Sequence, residues 1–268
     1  MKVLGEIILY YGAPFLSAAV ESIYDQVDKI VILYSPKPSQ GHSTTLPCPD
    51  TREDLMACVM EFKDKIMWVE GDWGNEADHV NAISHYTEGY DWVWRSDADE
   101  VVPPGMVAEM IRQAECAKKL ARYTSNPVDN TGPYLETMNP FKYKHHCVPF
   151  MHFWRSFSRV CRDGQMPMRL TRVNGGEGQV YLDSQDGKWF VAHFGYAQPT
   201  KYLEFKLTVS GHKDEFRPNW LKDVWEKNDG VNCHPVMYEG HWNAVGFDKT
   251  TLPLVLKRHK YYGCEVIE

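Results

Sequence analysis

The chain has 268 residues, 43% of them hydrophobic, with 36 Asp plus Glu against 29 Lys plus Arg, a formal charge of −7. That length and apolar share can bury a sizeable core in one large domain, or one domain with a modest appendage. The acidic balance gives no global attraction to nucleic acid or anionic membranes, and no run approaches the roughly 18 apolar residues of a membrane span. Seven cysteines without a CxxC pair read as reduced thiols of a cytoplasmic protein, neither a disulfide framework nor a zinc site. The opening MKVLGEIILYYGAPF is interrupted by Glu6 and has no small-residue cleavage site, so it reads as a strand, not a signal peptide.

KVLGEIILYY forms the first expected strand, closed by Gly12 and Pro14. Phe15, Leu16, Ala19 and Ile23 then recur at helical spacing, and KIVILYS (29–35) is a second apolar strand. A loop rich in Pro, Ser and Gly runs to Pro49. TREDLMACVMEFKDK predicts a helix capped by Thr51 with acids in its first turn. IMWVEGDW is the third strand, NEADHVNAISHYTEG a helix capped by Asn75, and DWVWRSD the fourth strand. Strands alternating with helices predict βαβ units, an α/β class and a mostly parallel sheet. Beyond about residue 118 the alternation stops. KKLARYTSN, VPFMHFWRSF and QVYL are short β-like runs, KWFVAHFGYA is a longer strand candidate, and QPTKYLEFKLTVSGHKDEF predicts a helix. On this pattern 1–118 is a ligand-binding βα region, and 119–268 an acceptor-side and C-terminal region of the same domain.

In parallel sheets, ligands collect outside the carboxyl ends of the strands. That rule puts Tyr10 to Gly12, Ser35, Asp72 to Trp73 and Asp97 to Asp99 on one rim. Asp97, Asp99 and Glu100 crowd three carboxylates into four positions, although each disfavours ionisation of its neighbours. A DxD at a strand end suits a hard divalent cation, Mn²⁺ or Mg²⁺, which also takes phosphate oxygens from a substrate. The plainer reading is a solvated acidic turn, or caps for the helix near Pro103.

In order and spacing, YYGAPFLSAAVESIYDQVDKIVILYS, NEADHVNAI and DWVWRSDADEVVPPGM resemble family-2-like glycosyltransferases of the GT-A fold, a Rossmann-like class. The likeness covers about residues 3–115 and continues more loosely through MRLTRVNG and VAHFGYAQPTKYLEFK. It implies a nucleotide-diphosphate sugar as donor and an acceptor hydroxyl as recipient. It makes Asp97 and Asp99 the DxD, with Asp99 the more direct metal ligand and His193 a third. Tyr10, Tyr11, Gly12, Ser35 and Asn81 would line the donor pocket. Ser35 stands where the family commonly has an acid, and Val80 where it has an arginine, so Arg169, Arg172, Lys201 or Lys206 would meet the diphosphate instead. A histidine such as His193 in an apolar strand also has a purely structural reading. Glu100, Glu177, Asp183 and Asp186 are open choices for the general base of an inverting enzyme. Two other classes stay open: a sugar nucleotidyltransferase, and a non-catalytic module binding nucleotide sugars or nucleic acid.

Charge is uneven along the chain. Residues 1–138 hold 22 acids against 11 Lys plus Arg, whereas 139–172 hold seven bases against Asp163 alone, interleaved with six aromatics. One reading pairs these bases with the acidic half and buries the aromatics. The other makes Trp154, Arg155 and Arg159 an acceptor surface for a polyanion such as DNA carrying a hydroxylated base, since aromatics stack on bases while cations meet phosphates.

Overall fold

The computed structural model describes residues 1–39, 42–112, 191–225 and 253–260, together with the strand segments 132–137, 146–152, 155–157, 170–172, 180–181 and 245–246. Four near-continuous apolar runs form its central sheet: β1 (Val3–Leu9), β2 (Lys29–Tyr34), β3 (Ile66–Glu70) and β4 (Trp92–Asp97). They pair in parallel in the order β3-β2-β1-β4. This is the expected α/β arrangement, with the strand order of half a doubly wound, Rossmann-like sheet.

Burial on both faces explains why β1 and β2 lack polar alternation, whereas β3, at the sheet edge, is only partly buried. On one face, Val3, Ile7, Leu9, Ile30, Ile32, Trp92 and Trp94 pack under helices α1 (Ala13–Tyr24), α2 (Arg52–Val59) and α4, which occupies residues 106–112. On the other face, Leu4, Val31, Leu33 and Val93 meet Ile83 from the 3₁₀ turn that follows α3 (Glu76–Asn81). Glu6 shares that second face by alternation and is wholly buried. Both predicted caps form. The Thr51 side chain accepts the Asp54 amide while Asp54 reaches back to Thr51, a complete capping box, and the Asn75 side chain accepts the Asp78 amide at 2.8 Å.

The later chain both extends this sheet and contributes to a second one. Across β4, β9 (Leu170–Arg172) pairs antiparallel, with β8 (Arg155–Phe157) and β10 (Val180–Tyr181) beyond it. A second sheet runs β12-β7-β6-β11-β5, from β5 (Glu100–Val101), β6 (Gly132–Thr137), β7 (His146–His152), β11 (Ala192–His193) and β12 (Val245–Gly246). Its β5 follows the DxD directly and pairs antiparallel with β11, which sets Glu100 opposite His193. Phe15 of α1 stacks on Phe194 at 4.4 Å, and both are buried with Val101, Ala192 and Leu256 of α6 (Leu254–Lys257).

The strand expected over 188–197 is shorter than its apolar run. Within the described residues it ends at His193, because the Phe194 amide turns to the Asp99 carbonyl (2.8 Å) and Ala197 closes a turn onto Phe194. The helix expected after it is α5 (Thr200–Val209), and it stops at Ser210 in extended backbone. KKLARYTSN and the boundary near 118 lie outside the described residues.

Candidate functional site

The order of the sheet reverses between β1 and β4, and crevices at such switch points hold ligands. An open cleft of about 830 Å³ lies there, lined by residues from the ends of β1 and β4, the loop after β2, the start of α3, and α5. Gly12 makes the approach possible. Its φ of +145° is a conformation side chains rarely adopt, and a Cβ there would meet the Cβ of Ala98 at 3.1 Å.

Asp99 sits at the centre of the charged end. Its Oδ1 is 3.3 Å from His193 Nε2, its Oδ2 is 3.6 Å from Lys206 Nζ, and Gln198 Nε2 donates to Oδ2 at 3.2 Å. Burial pushes the Asp99 carboxyl up, but His193 and Lys206 beside it outweigh that and hold it well below the usual carboxylate range. Lys206 also donates to the Gly195 carbonyl at 2.9 Å. Gly195 is needed for this packing, since a Cβ would come within 2.8 Å of the His193 ring and 3.0 Å of Lys206 Nζ. Asp97 lines the same cleft, with Oδ1 3.6 Å from Arg95 Nη2.

Glu100 takes a different place from the one expected of a general base. It is fully buried, and its Oε2 accepts the Asp97 amide at 2.9 Å, so it fixes the DxD turn from behind. Ser35 also turns inward: its hydroxyl donates to the Lys37 carbonyl at 2.7 Å and it does not line the cleft. Asn81 is likewise absent from the lining, and its Oδ1 is buried without a hydrogen-bond partner among the described residues. Lys201 points to the Pro49 carbonyl, away from Asp99. Tyr10, Tyr11 and Gly12 do line the cleft, and both tyrosine rings pack on Phe205 of α5, at 5.7 and 5.1 Å. Burial pushes the Tyr10 hydroxyl up to about 12 and Tyr11 higher still. Both stay neutral hydrogen-bonding groups at working pH. Arg155 and Arg172 lie on β8 and β9. Trp154, Arg159, Arg169, Glu177, Asp183 and Asp186 lie outside the described residues.

Sequence reasoning missed several participants. Asp50 accepts the Gly12 and Ala13 amides at 2.8 and 3.0 Å and the Tyr202 hydroxyl. The positive end of α1 is therefore already occupied by a carboxylate, not left open for a phosphate. Ser39, Glu76, His79 and Gln198 also line the cleft. Ser39 lies in a loop without periodicity, and no local spacing marks it. Gln198 carries a faint signal, five positions after His193.

The donor chemistry of Asp97, Asp99 and His193 fits Mg²⁺ or Mn²⁺. Among the described residues no three His, Cys, Asp or Glu gather closely enough to form a complete cage. Asp97, Asp99 and His193 could supply only part of a shell, the kind that magnesium completes with water and substrate phosphate.

No protein-family model matches the chain, and no curated protein matches it. Among solved structures it is similar to S. aureus TarS, at 11% identity, covering 84% of this chain and 40% of that one, with a TM-score of 0.38. It is similar too to mannose-6-phosphate isomerase from Helicobacter pylori, at 10% identity over 55% of each chain and a TM-score of 0.31. A third is mannose-1-phosphate geranyltransferase from Thermus thermophilus, at 14% identity, covering 56% of this chain and 49% of that one, with a TM-score of 0.30. The chain spans less than two thirds of each of these proteins. At such scores no activity carries over, and the site stands on its own geometry.

Proposed function

We propose that the protein is a metal-dependent glycosyltransferase that moves a sugar from a nucleotide-diphosphate donor to an acceptor hydroxyl. The observation that carries this reading is the pair of carboxylates, Asp97 and Asp99, at the sheet's switch point with His193 and Lys206 beside Asp99. Such a site suits a ligand that brings its own negative charge. Asp97, Asp99 and His193 would hold Mn²⁺ or Mg²⁺, which when bound supplies charge stabilisation to a departing diphosphate.

The chain's own residues support the rest. Lys206 is anchored on Gly195 and supplies a fixed positive charge at the floor of the cleft. Such a charge, already oriented, favours the transition state without reorganising as negative charge grows. Glu100 keeps the DxD turn in shape, and Phe205 holds both tyrosines at the wall. With Glu100 so engaged, the acceptor's proton falls to a group other than Glu100.

The test is a panel of nucleotide sugars with Mn²⁺, reading the product released. Nucleoside diphosphate is expected, and it should vanish in Asp99→Ala while that variant keeps its circular dichroism spectrum. Pyrophosphate would instead identify a nucleotidyltransferase, and absence of any turnover would leave a binding module.

A further inference from the structure

Two sets of polar groups line the cleft. Lys206 lies 3.6 Å from Asp99, whereas Pro38 and Ser39 come from the loop after β2 and Glu76 and His79 from α3, with Ser39 8% and His79 2% exposed. A nucleoside diphosphate joins a charged diphosphate to a flat neutral base. Lys206 is the one Lys or Arg among the described lining residues, which assigns the diphosphate to it and the base to the Ser39 end.

The hydrogen positions at that end follow from the partners. His79 Nε2 lies 2.7 Å from the Leu33 carbonyl, which can only accept, so Nε2 carries the proton. Burial pushes the imidazole toward its neutral form, against the pull of the Leu33 carbonyl and with help from Arg95. In the neutral ring Nδ1 then holds a lone pair, and Ser39 Oγ, 2.9 Å away, must donate to it. The Trp73 ring stacks on His79 at 4.3 Å and 10°, which fixes the plane of the imidazole. Ser39 has one hydroxyl hydrogen, and this contact uses it. Only lone pairs remain for the cleft.

We propose that Ser39, held as an acceptor by His79, selects a donor nucleotide whose base offers an imide N–H, as uracil does, over one that presents a ring lone pair there, as cytosine does. His79 is a positioning residue in this scheme, since it acts only through Ser39. The inference rests on the nucleotide-sugar reading of the cleft. A site built to accept a hydrogen bond rejects a ligand lacking it strongly, because its own polar group is left buried and unpaired.

Calorimetric titration of the full chain with UDP, N3-methyl-UDP and CDP, in Mn²⁺, tests it. UDP should bind at least about tenfold more tightly than either of the others. In His79→Phe, which keeps an aromatic ring against Trp73 but frees the Ser39 hydrogen, the UDP-to-CDP ratio should fall towards one. Ser39→Ala should lose the same preference. The three-ligand comparison on the unaltered protein needs no variant, so it remains decisive if His79→Phe does not fold. Equal binding of the three, or tighter binding of CDP, overturns the inference. Binding of ADP without UDP overturns it while leaving the nucleotide reading intact, and binding of no nucleoside diphosphate overturns both.

Discussion

Glu6 is a single residue with consequences for the whole sheet. It lies mid-strand in β1, opposite Arg95 of β4, with no exposed surface and no hydrogen-bond partner for either oxygen among the described residues. Burial pushes its carboxyl up to about 8, less the pull of Arg95 and with a further push from Asp97. The folded chain therefore holds a proton there that the unfolded chain has released above pH 4.5. Protons bound in the folded state exceed those in the unfolded state across pH 4.5 to 8, so stability must fall as pH rises through that window. The penalty is on the order of 3–5 kcal/mol at its upper end. Glu6→Gln should match the parent near pH 5 and melt at a higher temperature at pH 8.5. Parallel melting profiles across pH would show that Arg95 already compensates the charge.

At the scale of elements, the loop that ends at Asp50 ties three pieces together: the turn after β1, the start of α1, and Tyr202 on α5. Asp50→Ala removes one carboxylate and leaves two amides and a hydroxyl without their acceptor. Such a change should cost about 2–3 kcal/mol. In urea the midpoint should drop with an unchanged slope, and Tyr202→Phe should reproduce only part of the loss. An Asp50→Ala chain as stable as the parent would mean that water replaces the cap.

The same elements show what could be read from the sequence. β1 and β2 announced themselves as apolar runs because both of their faces are covered, and Thr51 and Asn75 announced two helices because capping is local chemistry. The DxD was legible as a cluster, and its place at the rim followed from strand order. Glu100, Ser35 and Asp50 were not legible. Asp50 spends its carboxylate on amides 38 and 37 positions distant, and spacing in the chain carries no record of such contacts. Glu100 and Ser35 bond backbone three and two positions away, where the sequence does not tell a group turned inward from one facing a ligand. The strand read over 188–197 is cut short at His193 within the described residues for another reason. Phe194 and Ala197 are buried at a turn against Asp99, not by continued pairing, and burial by either route looks the same in sequence.

For the molecule as a whole, the uneven charge is the feature still to be tested. Residues 1–138 hold 22 acids against 11 Lys plus Arg, while residues 139–172 carry seven bases. A nucleic-acid acceptor held by those bases would lose about a thousandfold in affinity between roughly 50 and 200 mM salt, as counterions return to its phosphates. Fluorescence anisotropy of a labelled single strand across that range reads this directly, and Arg155→Ala or Arg159→Ala should flatten the slope. Weak binding that ignores salt would assign the bases to pairing with the acidic half. Among the described residues no helix is long and apolar enough to cross a membrane.

The cage around Asp99 also sets an order of events on the ribosome. The parallel core is complete in sequence once β4 ends at Asp97, but Gln198, which grips the Asp99 carboxylate, follows Asp99 by 99 residues. At ordinary rates of translation that gap lasts roughly 5–20 s. Until the last few residues of it the nascent chain carries Asp99 with neither His193 nor Lys206 at hand, its charge balanced only by water and dissolved ions. The ligand cleft is thus a late acquisition of the growing chain, since Gln198 and Lys206 line it.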